Sequence, residues 1–156
     1  MIVNVRRGEA AILERLGRFQ AVLREGRHYY VPLVDKVRAR VDLKKRTVAF
    51  HPQRVETADH GVLTVAAKVT FQVSDPKSAV YQVGNYSYGV EQLTATAVRA
   101  ALDRMSLEEA VMSGDPLESE VLGVLQEAAG RWGIRTTRVE LRMTPVHPGE
   151  NNDNTE

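Results

Sequence analysis

At 156 residues and 43% hydrophobic side chains, the chain suits one domain able to bury about two-thirds of the surface its unfolded form exposes, without staples. It has no cysteine, which excludes disulfides, thiolate metal sites and a thiol nucleophile. Lys plus Arg number 21 against 20 for Asp plus Glu, so there is no global attraction to nucleic acid, and any electrostatic partner must meet a local patch.

No apolar run approaches the roughly 18 to 20 residues that a bilayer span needs, and Met1 leads into Ile2 to Arg7 without a signal-peptide core. The chain as given is expected to be soluble. Ile2 to Val5 and Ala10 to Arg15 are short apolar runs separated by Arg7-Gly8-Glu9, which predicts an opening hairpin. Gly17, Gly26 and Pro32 punctuate the next twenty residues, and Tyr29 to Val34 (YYVPLV) has neither strand nor helix period, so an ordered loop is predicted there.

Alternation returns from Lys36 to Leu43, with Val37, Ala39, Val41 and Leu43 against Lys36, Arg38, Arg40 and Asp42, a strand that is basic on its wet side. Thr47 to Phe50 reads as an edge segment limited by Pro52. From Gly61 to Val73 the pattern is the longest in the chain: Leu63, Val65, Ala67, Val69, Phe71 and Val73 share one side, which predicts a central strand with one buried face.

At Ser74-Asp75-Pro76 the period changes, because Asp before Pro supplies a cap oxygen and a pre-set first helical residue; a short helix to about Val83 should stop at Gly84. Val90, Leu93, Ala97, Val98, Ala101, Leu102 and Met105 recur at helical steps between about Tyr86 and Met105. Ser106 with Glu109 makes a capping box for a short helix, and Asp115-Pro116 with Glu118 opens another. That last helix carries Leu117, Val121, Val124, Leu125, Ala128, Ala129 and Trp132 on one face and is capped by Gly133. Val139, Leu141 and Met143 then alternate with charged residues in a final strand ending at Pro145. Residues 1–145 are thus expected to form one domain, and 146–156 a disordered polar tail.

Catalytic, cofactor and metal sites are not expected. His28, His51, His60 and His147 show no metal-ligand spacing, there is no GxSxG elbow, and neither GxGxxG nor a Walker-type glycine loop is present. Ser113 reads as part of a helix start, and Glu108 and Glu109 point to different helix faces, a poor acid/base pair. The basic residues from Lys36 to Arg46 lack interleaved aromatics, so they suit a solvated sheet edge or an anionic headgroup surface, not nucleic acid. Tyr29, Tyr30, Leu33 and Val34 fit two readings equally: a packed core loop, or an apolar surface for a membrane or a neighbour with Lys36, Arg38 and Arg40 supplying charge.

Arg7 to Phe19, Glu25 to Val37, Val41-Asp42-Leu43, Phe71 to Pro76, Ala79-Val80-Tyr81, Gln92-Leu93, Leu107-Glu108-Glu109, Trp132-Gly133-Ile134 and Val139-Glu140-Leu141 together resemble the band 7, or SPFH, domain, closest to its stomatin-like branch. The resemblance implies an α/β (α+β) fold with a twisted, largely antiparallel sheet packed by amphipathic helices. It also implies a non-enzymatic role: peripheral membrane association, otherwise a cytoplasmic location, homo-oligomeric scaffolding, and regulation of a membrane protein or membrane protease, with a partner of the NfeD type in bacteria. Family members usually carry an anchor before the segment matching Ile2 to Arg7 and a long helical region after the last strand. The given sequence starts at that segment and ends in Pro145 to Glu156, which leaves two expectations open: an excised domain, or a short member that binds membranes or larger relatives through its folded surface. A soluble adaptor that pairs through the sheet edge near Lys44 to Phe50, without lipid contact, is the alternative.

Overall fold

The structure is a computed structural model, and it describes residues 1–146. In chain order these form β1 (Ile2–Val5), β2 (Glu9–Arg15), β3 (Arg18–Leu23), β4 (Gly26–Tyr29), β5 (Asp35–Asp42), β6 (Arg46–Ala49), β7 (Gln53–Glu56), β8 (Val62–Val73), α1 (Pro76–Ser78) and a π-helical turn (Ala79–Val83). There follow α2 (Tyr86–Leu102), α3 (Leu107–Met112), α4 (Gly114–Gly130) and β9 (Ile134–Pro145). Every strand pair is antiparallel, and the strands divide among three sheets: β1-β4, β3-β2-β5, and a larger one centred on β8.

The period-two pattern of β8 does what it predicts. Leu63, Val65, Val69, Phe71 and Val73 are buried, while Lys68 on the opposite face is exposed. One edge of β8 pairs with β9 along its length, from Leu63 opposite Pro145 to Val73 opposite Ile134. The other edge is shared by β6 and β7 lying end to end. The inward face packs against Val90, Val98 and Leu102 of α2 and Leu117, Val121 and Leu125 of α4. Phe71 meets Tyr86 edge to face at 6.5 Å, an arrangement favoured by the ring quadrupoles.

The opening hairpin is corrected by the structure. β1 pairs with β4, not β2, placing Ile2 opposite Tyr29 and Val5 opposite Gly26. β2 instead folds onto β3 through the two-residue turn Leu16-Gly17, both with positive φ (53° and 77°), and takes β5 as its second neighbour. The physical reason lies in Ala10 to Leu13, four consecutive buried residues. Such a strand needs cover on both faces. Ala11 and Leu13 pack with Val3, Val5 and Leu23 on one side, and α1 approaches from the other. β3 and β4 are additions to the sequence-based reading, since RFQAVL and GRHY lack clean alternation.

Helix boundaries shift in informative ways. Asp75 accepts from the Ser78 N–H and Pro76 opens α1, but the chain then widens: the Gly84 N–H bonds to the Ala79 carbonyl, five residues back. Ser106 caps α3 through the Glu109 N–H at 3.2 Å, as its spacing predicts. For α4 the cap is Ser113 and not Asp115, which lies in the first turn where its charge favours the dipole. Val124, placed on the apolar stripe by its spacing, sits at the stripe's margin and is exposed. After α4, Gly133 (φ 73°) turns the chain into β9 so closely that an added Cβ would lie 2.5 Å from the Asp75 carbonyl oxygen. The polar tail expected over 146–156 lies, Val146 apart, outside the described residues; Val146 still donates to the Val62 carbonyl at 2.9 Å.

Phe71→Ala should lower unfolding free energy by about 3–5 kcal/mol, through lost burial and the cavity left between β8 and α2. Urea denaturation checks this, and a loss below about 1 kcal/mol would remove β8 from the centre of the core.

Candidate functional site

The end of the molecule formed by the β2–β3 turn and the β4–β5 loop holds the residues singled out by sequence. Asp35 is its organiser. The residue is buried at the first position of β5, and its carboxylate accepts from the Arg15 guanidinium at 2.7 and 3.1 Å and from the Val31 N–H at 2.9 Å. Those donors, Arg15 first and Val31 second, hold the Asp35 carboxyl down at about 2. The same pair raises the Arg15 pKa, chiefly through the hydrogen bond to Asp35. Backbone bonds complete the loop: Asp35 N–H to the Val31 carbonyl at 2.8 Å, and Leu16 N–H to the Val34 carbonyl at 2.8 Å. Turn and loop are therefore tied into one unit.

This fold sorts the four candidate residues into two pairs. Tyr30 and Val34 are half-buried, Tyr30 against the cluster of Val3, Val5, Ala11, Leu13 and Leu23. Tyr29 and Leu33 project outward, 83% and 96% exposed. Beside them stand Val31, Ile2 opposite Tyr29, and Leu16, itself 76% exposed. Scattered exposed apolar residues are ordinary; several converging on one end are not.

Lys36, Arg38 and Arg40 are all exposed on β5, but the structure does not gather them. Lys36 is nearest the loop and has no ion pair among the described residues. Arg38 stands 3.9 Å from Glu14, whose other oxygen accepts the Tyr81 hydroxyl at 2.8 Å. Burial first, then Glu14, pushes the Tyr81 pKa up. Arg40 reaches the Asn4 carbonyl at 3.1 Å, about 13 Å along the strand from Lys36. A further cation, Lys77, lies over the Phe19 ring at 4.1 Å. On the larger sheet, Lys44, Lys45 and Arg46 are exposed where β6 forms an edge.

Sequence reasoning missed Leu16, Arg18 and the Arg15–Asp35 pair. The signal for the first was present: a leucine before glycine in a two-residue hairpin turn must take the left-handed conformation, which costs a non-glycine residue roughly 1–2 kcal/mol. The Asp35 pairing carries no local signal, because its partner is twenty residues away.

Three of the groups weighed for chemistry are engaged in local hydrogen bonds. The Ser113 hydroxyl donates to the Ala110 carbonyl, His60 is hydrogen-bonded to Glu56, and His28 to the Arg24 carbonyl. Among the described residues no group of three or more acidic or histidine side chains is placed to hold a metal ion. The apolar slot lined by Phe50, Val55, Val65, Ala67 and Val98 has a volume of about 20 Å³, room for about one water. No helix of the described residues is long and apolar enough to cross a membrane.

A fold of antiparallel sheets with helices banked on β8, and an apolar end pinned by an ion pair, is the setting for the comparisons with known proteins. The chain belongs to the SPFH domain / Band 7 family, whose model matches residues 3–153. It is 47% identical over 147 residues, 94% of its own length, to an uncharacterised protein of Mycobacterium tuberculosis, and covers 39% of that protein. Against the human protein named stomatin-like protein 2, mitochondrial, identity is 30% over 148 residues, covering 95% of this chain and 42% of the relative. An uncharacterised protein of Methanothermobacter thermautotrophicus is 31% identical over 143 residues, covering 91% and 44%. The chain therefore spans about two-fifths of the length of the curated relatives it matches.

Because the Asp35 pKa is depressed from its ordinary 3.8 to about 2, its contribution to stability is present above pH 3.8 and is lost as pH falls toward 2. Asp35→Asn should accordingly be less stable than the parent at pH 7, with the gap narrowing below pH 4. Urea midpoints at pH 7, 5, 4 and 3 check this; a constant gap would separate Asp35 from the effect.

Proposed function

We propose that this chain is a non-enzymatic scaffold domain that rests its β2–β3 and β4–β5 end on a membrane surface, self-associates, and organises or regulates a membrane protein. The observation that carries the reading is the outward projection of Tyr29 and Leu33 beside a loop whose backbone is hydrogen-bonded at Tyr30, Val31 and Val34. Nothing in the folded chain is stabilised by a leucine 96% exposed, whereas an interface that is apolar on one side and wet on the other suits both residues. Family membership supports the same reading, as does the resemblance of sequence to a stomatin-like relative. Lys36, with Arg38 and Arg40 farther along β5, is assigned to anionic headgroups or to acidic groups of a partner. A membrane protease-like protein of the NfeD type is the proposed class of partner, and the location is peripheral to a membrane. Residues 1–145 act as one domain in this reading.

Tyr29→Ser plus Leu33→Ser should leave folding intact and reduce flotation with anionic vesicles severalfold, since each buried apolar side chain contributes about 1.5–3 kcal/mol. Unchanged flotation would overturn the assignment of this end.

A second reading has its own observation. β6 pairs with β8 on one side only, leaving an edge at Arg46 to Ala49 preceded by Lys44 and Lys45. Such an edge can add a strand from a neighbour or partner, making the domain a soluble adaptor without lipid contact. Because the Phe50 N–H bonds inward to the Ala67 carbonyl, the alternating Ala49 N–H faces the open side of β6, so sedimentation over a range of concentrations should reveal self-association that Ala49→Pro weakens; a strictly monomeric protein at high concentration would count against both self-association and this edge.

A further inference from the structure

The tip of the β2–β3 turn costs the isolated domain twice. Leu16 occupies the first central position of a two-residue turn at φ 53°, where asparagine or glycine is favoured, and its side chain is 76% exposed. Directly beneath it, Arg15 and Arg18 face each other across the strands, a like-charge pair that disfavours the hairpin. Asp35 satisfies Arg15, but Arg18 has no ion pair among the described residues. An apolar residue at a strained tip, over two arginines, is poor design for water.

We propose that Leu16 is an insertion residue: with Leu33 it forms a two-pronged apolar wedge that enters the acyl boundary of an anionic bilayer, Arg18 and Lys36 engaging headgroup phosphates around it. The inference rests on the membrane-facing reading above and adds the residue that sets depth and the lipid class. The two prongs are held together because the Leu16 N–H bonds to the Val34 carbonyl and Asp35 ties Arg15 to the Val31 backbone. They enter as one rigid unit, with no ordering of loops on binding. A bilayer is favoured over a protein partner by shape. Leu16 and Leu33 stand out from turns as convex points, which a deformable apolar medium accepts, whereas a protein partner would need a matching pair of pockets. Charge agrees, since the collar is cationic and anionic headgroups attract such residues.

Leu16→Asn separates insertion from folding. It relieves the turn, so thermal unfolding should stay level or move upward, while affinity for vesicles of phosphatidylcholine and phosphatidylserine falls by about tenfold. Because the chain lacks cysteine, Leu16→Cys can carry a polarity-sensitive fluorophore, which should shift to the blue on adding the same vesicles. The same label at Glu127→Cys on α4 should not shift. A label at 16 that does not shift, or a Leu16→Asn variant that binds vesicles like the parent, would overturn the wedge while the parent's flotation upholds the membrane reading. A parent chain that fails to float would overturn both. Loss of self-association in Leu16→Asn with unchanged vesicle binding would assign the tip to a protein neighbour and overturn the lipid assignment.

Discussion

Strand β8 is bonded along both edges and buried on one face, and the rest of the molecule is placed by that constraint. A strand with five large or branched side chains on one side cannot leave them wet, and its backbone groups need partners on both edges. β9 supplies one edge, β6 and β7 the other, and α2 and α4 cover the face. The tight passage at Gly133 follows, because β9 must start beside Asp75 to run antiparallel to β8 over its whole length.

A second burial problem organises the other end. β2 has no wet face over Ala10 to Leu13, so it is enclosed by neighbours instead of lying open as half of a hairpin. Its enclosure brings Arg15 beside Asp35, and that pair turns the β4–β5 loop into a fixed shape. A mobile loop could hide Leu33 against the body, but one whose Val31 amide bonds to Asp35 and whose Val34 carbonyl accepts from Leu16 presents it outward.

The two ends therefore differ in kind. The β8 end is a packed core in which Ser74, Ser106 and Ser113 serve turns and caps, with the Thr136 hydroxyl as a buried group left without a partner. The β2 end carries side chains that contribute little to the fold and face outward, next to cations that the fold leaves free. A domain so divided is suited to contact, with one end supporting and the other engaging a surface. Membership of the SPFH domain / Band 7 family accords with that division.

The chain by itself determined the long strand, the amphipathic helices, the Asp75 and Ser106 caps and the close of β9 at Pro145, because each rests on period or on residues within a few positions. It also determined the absence of thiol chemistry, and it marked Tyr29 to Val34 as a loop of interest. Only the tertiary structure decided that β1 pairs with β4, since register between separated strands depends on which faces remain to be covered. Only it divided Tyr29 and Leu33 from Tyr30 and Val34, because alternation says which residues share a side of a strand but not which side of a loop meets the core. The Arg15–Asp35 pair belongs to the same class. Two charges twenty residues apart have no meaning as a motif, and they acquire one when the folding of β2 against β5 brings them within hydrogen-bonding distance.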